Sequence, residues 1–126
     1  VKGLAGDGEI PGLSHDRATV DANGIGAADV VVVPLEDGDR AEALAEAGKT
    51  EVVIDLNPLS RSAQTAAIPI VDNIIRAVPN MTAHATELQG ADQATLTEII
   101  DDFDPDAARA AAERAIRDGS LAAPNE

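Results

Sequence analysis

The sequence predicts an α/β protein three layers deep, with a small, mainly parallel sheet and a helical carboxyl-terminal segment. Three observations carry this. Two apolar runs, Val30 to Val33 and Val52 to Leu56, are too short for anything but buried strands, and between them lies a helix-patterned segment. That is a β-α-β unit, whose strands must run parallel. Beyond it, amphipathic helical segments follow one another to the end of the chain. The expectation is a Rossmann-like three-layer fold.

Taken in order, residues 1–28 form an extended lead-in, punctuated by Gly3, Gly6, Gly8, Pro11, Gly12, Gly24 and Gly26, with no persistent helical or strand period. Gly24, Ile25 and Gly26 suggest a dinucleotide fingerprint only superficially. They precede a strand instead of following one, and the third glycine position is Asp29. Residues 29–90 form a β-α-β-β-α core. Its first strand, Asp29 to Pro34, has valine on both faces, as a parallel strand covered by helices on both sides requires. The helix that follows is expected to be capped by Asp39, with Glu42 completing a capping box. Ala43, Leu44 and Ala47 form its inward stripe, and Gly48 ends it in a left-handed turn. The second strand is Glu51 to Leu56, and Leu59 to Ala67 is a short helical turn or irregular crossing.

A third strand, Ile68 to Val71, contains Pro69, which cannot donate to a ladder and so predicts an edge or a bulge. Asp72 and Asn73 cap a helix bearing Ile74, Ile75 and Val78, which Pro79 is expected to interrupt before the pattern resumes toward Leu88. Residues 91–126 form a helical tail. Its first helix runs from Ala91 to Phe103 with Leu96, Ile99 and Ile100 inward, and its second from Pro105 to Asp118 with proline in the first turn; the end from Leu121 frays.

At 126 residues the chain is one domain. Its 23 acidic residues against 9 basic ones, a net charge of -14, repel nucleic acid and anionic membranes, so neither is an expected partner. Abundant alanine, a single aromatic residue in Phe103 and only Lys2 and Lys49 as lysines resemble the balance of proteins that work in very high salt. There is no cysteine, hence no disulfide, thiol nucleophile or thiolate metal site. No segment resembles a signal peptide or a bilayer span, which points to a cytoplasmic location. The chain opens at Val1 within loop-like sequence, as a piece of something longer would.

In open α/β sheets ligands collect beyond the carboxyl ends of the strands. The turns Glu36 to Arg40 and Asp55 to Arg61 should therefore share one rim. In the first, Gly38 lets a ligand approach the backbone, and the new helix offers unpaired amides. Three carboxylates surround that cradle, however. At 4 Å a carboxylate and a phosphate charge repel by about 1 to 4 kcal/mol, enough to offset a helix-end attraction of about 1 kcal/mol. Asp37, Gly38, Asp39 and Arg40 accordingly suit ribose hydroxyls, a magnesium ion or an amine better than bare phosphate; alone, the same residues describe an ordinary capped helix. In the second turn, Asp55 ends a buried strand, where an idle carboxylate is costly, Leu56 and Asn57 follow, and Arg61 can clamp a phosphate or carboxylate at two points. Arg40, Arg61 and Arg76 are the cations near this rim, each of which could simply pair with a carboxylate. His15 and His84 have no companion at metal-ligand spacing and are expected to be ordinary polar residues.

The words VPLEDGDR (Val33 to Arg40), EAL (Glu42 to Leu44), IDLNPLSR (Ile54 to Arg61) and IVDNIIRAVPNM (Ile70 to Met81), in this order and spacing, resemble the archaeal phosphopantothenate synthetase family, also called 4-phosphopantoate-β-alanine ligase. IPGL with His15, Arg17 and Val20 to Gly24 is similar as well. The resemblance implies ATP-dependent condensation of 4-phosphopantoate with β-alanine through an acyl-adenylate, in coenzyme A synthesis, by a homodimer. It implies that Asp37, Gly38, Asp39 and Arg40 lie on a first nucleotide-contacting turn and Asp55, Leu56 and Asn57 on a second, with magnesium accompanying ATP and Arg61 facing substrate. Family chains are longer, and their amino-terminal half supplies basic residues to the pockets. The 126 residues alone are thus expected to bind nucleotide weakly or not at all and to make no product without that half. Pro69 departs from the strand-compatible residue usual in the family. The alternative is a non-catalytic α/β module that docks to a partner through its edge strand and lead-in.

Overall fold

A computed structural model describes residues 8–9, 19–20, 23–34 and 38–119. His15, Glu36, Asp37 and the fraying expected from Leu121 onward lie outside these residues. Two strands of the lead-in, β1 (Gly8–Glu9) and β2 (Thr19–Val20), pair antiparallel, and a 3₁₀ turn spans Ile25–Ala27. The described residues of the lead-in thus include paired strands that the sequence did not signal, because a two-residue strand is too short to leave a period.

The main sheet has the order β3-β4-β5, all parallel, from Val30–Pro34, Thr50–Asp55 and Ile68–Val71. β3 and β4 are joined by helix α1 (Gly38–Glu46), and β4 and β5 by the short helix α2 (Arg61–Thr65). Three helices complete the chain: α3 (Ile74–Glu87), α4 (Gln93–Asp102) and α5 (Pro105–Arg117). β5 lies at an edge, as Pro69 requires, with Pro69 opposite Val53 of β4.

One face of the sheet carries the core, where Val33 and Val53 meet Ala43 and Leu44 of α1 and Ala66 after α2, with Ile25 and Val31 packed beside them. Alanine at the contact points lets the helices lie close to the strands. The α1 terminus fits its sequence closely. Gly48 has φ +82°, its amide donates to the Ala45 carbonyl at 2.9 Å and the Lys49 amide to that of Leu44 at 3.2 Å, the paired bonds of a Schellman end. Lys49 Nζ then donates to the carbonyls of Gly26 (3.1 Å) and Ala28 (2.9 Å), tying the 3₁₀ turn to the start of β4.

Four expectations are corrected. Asp39 lies within the first turn of α1, not at its cap, since the helix already begins at Gly38. β3 is not covered on both faces: Val30 and Val32 are 57% and 50% exposed, because α3 leans over β4 and leaves the outer strand open. α3 runs unbroken through Pro79, which lies on its exposed side. One lost backbone bond is tolerated in a helix of 14 residues whose start is held by Asn73, with its side chain accepting from the Ile75 amide at 2.9 Å. Ile99 and Ile100 of α4 do not turn inward, Ile100 being 68% exposed, since no described element packs on that face.

Candidate functional site

Parallel pairing of β3 with β4 sets Pro34 opposite Ile54, and pairing of β4 with β5 sets Asp55 opposite Val71. Three strand ends thus open onto one rim, about 4.8 Å apart from strand to neighbouring strand. The turn from Asp55 and the described part of the first turn, Gly38 to Arg40, are on it.

Gly38 starts α1, and Asp39 and Arg40 occupy its first turn, Asp39 exposed and Arg40 half-buried. Asp37 lies outside the described residues. Arg61 Nη2 donates to Asp39 Oδ1, an exposed ion pair that joins the first turn to the start of α2. Arg61 is therefore not simply held out for a substrate; its charge is shared with the acidic turn. In the second turn Asp55 has the task its position demands. Oδ1 accepts from the Asn57 amide at 3.0 Å, and Oδ2 accepts from the Ser60 hydroxyl at 2.7 Å. Asn57 Oδ1 accepts from the Leu59 amide at 3.0 Å, and Ser60 Oγ in turn accepts from the Ala63 amide at 3.1 Å to cap α2. The loop is a chain of local hydrogen bonds hung on Asp55, leaving Leu56 pointing outward and exposed.

Sequence reasoning gave less weight to the third strand end. Asp72 Oδ1 accepts from Arg76 Nε at 2.8 Å and Nη2 at 2.5 Å, and from the Asn73 amide at 2.7 Å. The Arg76 hydrogen bond, aided by the Asn73 amide, holds the Asp72 carboxyl below the usual aspartate range, and Asp72 in turn raises Arg76. A cleft of 380 Å³ opens here between the ends of β4 and β5 and helix α5, walled by Leu56, Val71, Asp72, Arg76, Ala115 and Ile116. A second cleft of 500 Å³, lined by Asn73, Ile75, Arg76, Pro79 and Asn80, lies along α3, so that Arg76 borders both. The signal was present in the sequence: Asp72 follows a third parallel strand and must reach the same rim.

Glu51 was missed as well. It lies on the central strand, 1% exposed, with neither carboxylate oxygen hydrogen-bonded, and burial pushes its pKa up to about 7. It is about 13 Å along β4 from Asp55, away from the rim. His84 is an exposed residue 3.4 Å from Glu87 and takes no part.

No group of three or more metal-ligating side chains occurs among the described residues. Magnesium carried by a nucleotide needs only one or two protein carboxylates, the phosphates and water supplying the rest, and Asp39 is exposed in the acidic turn to serve as one. The rim also offers hydroxyl-binding groups in Asp39 and Asn57 and cations in Arg40 and Arg61, a set compatible with a nucleotide. None of the described helices is long and apolar enough to cross a membrane.

The sequence profile of phosphopantothenate/pantothenate synthetases matches residues 1–119. The chain is 60% identical over 95 residues to the 4-phosphopantoate--beta-alanine ligase of Thermococcus onnurineus, covering 75% of this chain and 36% of that protein. It is 53% identical over 104 residues to the ligase of the same name from Thermococcus kodakarensis, covering 82% and 40%. With that of Methanosarcina mazei the identity is 54% over 92 residues, covering 73% and 36%. The match thus takes in 36 to 40% of the length of these relatives. On the strength of a profile that runs from the first residue to the end of the last helix, the chain belongs to the phosphopantothenate/pantothenate synthetase family.

Proposed function

We propose that this chain is part of an AMP-forming ligase that joins 4-phosphopantoate to β-alanine for coenzyme A synthesis. ATP supplies the adenylyl group. The substrate carboxylate attacks the α-phosphorus and pyrophosphate leaves; the β-alanine amine, having lost one proton, then attacks the acyl carbon. AMP departs with the electron pair, and the nitrogen releases its second proton.

The observation that carries this reading is the bridging of the two turns by Arg61 and Asp39 across one rim, in a chain 60% identical to a protein of that name. Asp37, Gly38, Asp39 and Arg40 on one turn, and Asp55, Leu56 and Asn57 on the other, hold ATP and its magnesium ion. Arg61, oriented by its ion pair with Asp39, meets the anionic substrate. Catalysis rests on positioning and on electrostatic support for the leaving pyrophosphate, with no covalent enzyme intermediate. The protein works as a homodimer in the cytoplasm of a high-salt cell, and the 126 residues need the remainder of the polypeptide to turn over.

Exchange of labelled pyrophosphate into ATP, dependent on 4-phosphopantoate and independent of β-alanine, is expected from the chain joined to that remainder. No exchange under those conditions overturns the reading. Product formed by the 126 residues alone would overturn the requirement for the rest.

A further inference from the structure

We infer that the cleft between the ends of β4 and β5 and helix α5 is the subsite for the amino-acid substrate, with Asp72 receiving the ammonium group and Arg76 the carboxylate. The inference rests on the ligase reading and adds to it the place of the second substrate.

Charge comes first. The polar wall of this cleft is one carboxylate and one guanidinium side by side, a neutral pair in a chain of net charge -14. A polyanionic ligand such as 4-phosphopantoate would meet Asp72 with like charge. A zwitterion would find a partner for each end. The two groups are also only half used by the protein. Among the described residues, all the bonds to Asp72 fall on Oδ1, and those from Arg76 leave Nη1 out, so Oδ2 and Nη1 remain for a ligand. Asp72, held well ionised by Arg76, is suited to orienting an ammonium group and is too weak a base to remove its proton.

Shape agrees. The remaining wall is apolar, from Leu56, Val71, Ala115 and Ile116, which suits methylene groups between two charged ends. Position agrees too. Leu56 belongs both to this cleft and to the turn assigned to the nucleotide, so an amine anchored at Asp72 lies one strand away from an acyl group activated on that turn. Placing the two reactants on adjacent strand ends makes their encounter effectively intramolecular.

The test is a titration of the chain joined to the remainder of the polypeptide, isotope-labelled, with β-alanine, followed by amide chemical shifts. Shifts are expected at residues 71–76, 115 and 116. Propionate and propylamine, each leaving one charge of the pair unmatched, should bind at least about tenfold more weakly. Arg76→Gln and, separately, Asp72→Asn should each weaken β-alanine by a similar factor. Equal responses to propionate and β-alanine, shifts confined to other residues, or 4-phosphopantoate moving these amides in place of β-alanine would overturn the inference. A parallel ATP titration separates the two levels. Shifts at residues 38–40 and 55–57 with ATP but none with β-alanine sink the subsite alone, whereas silence toward both sinks the ligase reading beneath it.

Discussion

At the scale of single residues, two carboxylates on the same strand have opposite fates. Asp55 is satisfied twice over by its own loop, and its removal frees the Asn57 amide and the Ser60 hydroxyl together. Asp55→Ala should cost about 1 to 2 kcal/mol in urea unfolding, and Ser60→Ala about 1 kcal/mol. Because both act through one network, the double variant should cost less than the sum. Glu51, by contrast, is buried with no partner, and its folded pKa of about 7 lies above the ordinary 4.5. The folded state therefore holds this proton more tightly than the unfolded chain does. Its effect on stability is neutral below pH 4.5, turns unfavourable as pH rises from 4.5 to 7, and levels off above 7 at about 3 kcal/mol. Glu51→Gln should remove that decline and unfold at higher denaturant than the parent at pH 8. A parent whose stability is flat across this window would contradict the assignment. Asp72 and Asp92, both shifted down, act only at lower pH, where stability falls as they gain protons.

At the scale of elements, the helix ends behave as local chemistry dictates, and Pro79 is the exception. Proline inside a helix removes one backbone bond and crowds the preceding turn, a cost of about 3 kcal/mol in an exposed interior. Pro79→Ala should accordingly raise the melting temperature, by an amount equivalent to about 1 to 3 kcal/mol. No increase in a thermal melt would mean that the proline is relieved elsewhere in the fold. Gly48→Ala should act in the opposite sense, costing about 1 kcal/mol, since φ +82° is poorly tolerated by a side chain.

For the whole molecule, charge is the dominant quantity. A net charge of -14 on 126 residues makes the compact state self-repelling. Screening shortens the reach of that repulsion from about 30 Å at 0.01 M salt to about 3 Å at 1 M. The melting temperature should rise steadily over this range; one that ignores salt would remove the case for a high-salt adaptation. The exposed valines of β3 and isoleucines of α4 belong to the same scale. Val32→Lys should leave the stability of this chain within about 0.5 kcal/mol, as expected for a half-exposed site away from the core. A larger loss in urea unfolding would show that this face is packed in solution.

The sequence by itself determined the parallel β-α-β order, the restriction of β5 to an edge or a bulge, the left-handed stop at Gly48 and the sharing of one rim by two turns. Each follows from apolar period, proline or glycine chemistry within a few residues, and a parallel connection leaves no other geometry. Only the tertiary structure decided that Arg61 pairs with Asp39, that Glu51 is buried without a partner, that Val30 and Val32 stay open, and that Asp72 and Arg76 wall a cleft beneath α5. Those outcomes depend on which side chains from distant parts of the chain arrive at the same place. Burial and ion pairing are properties of neighbours in space, and local pattern carries no record of them.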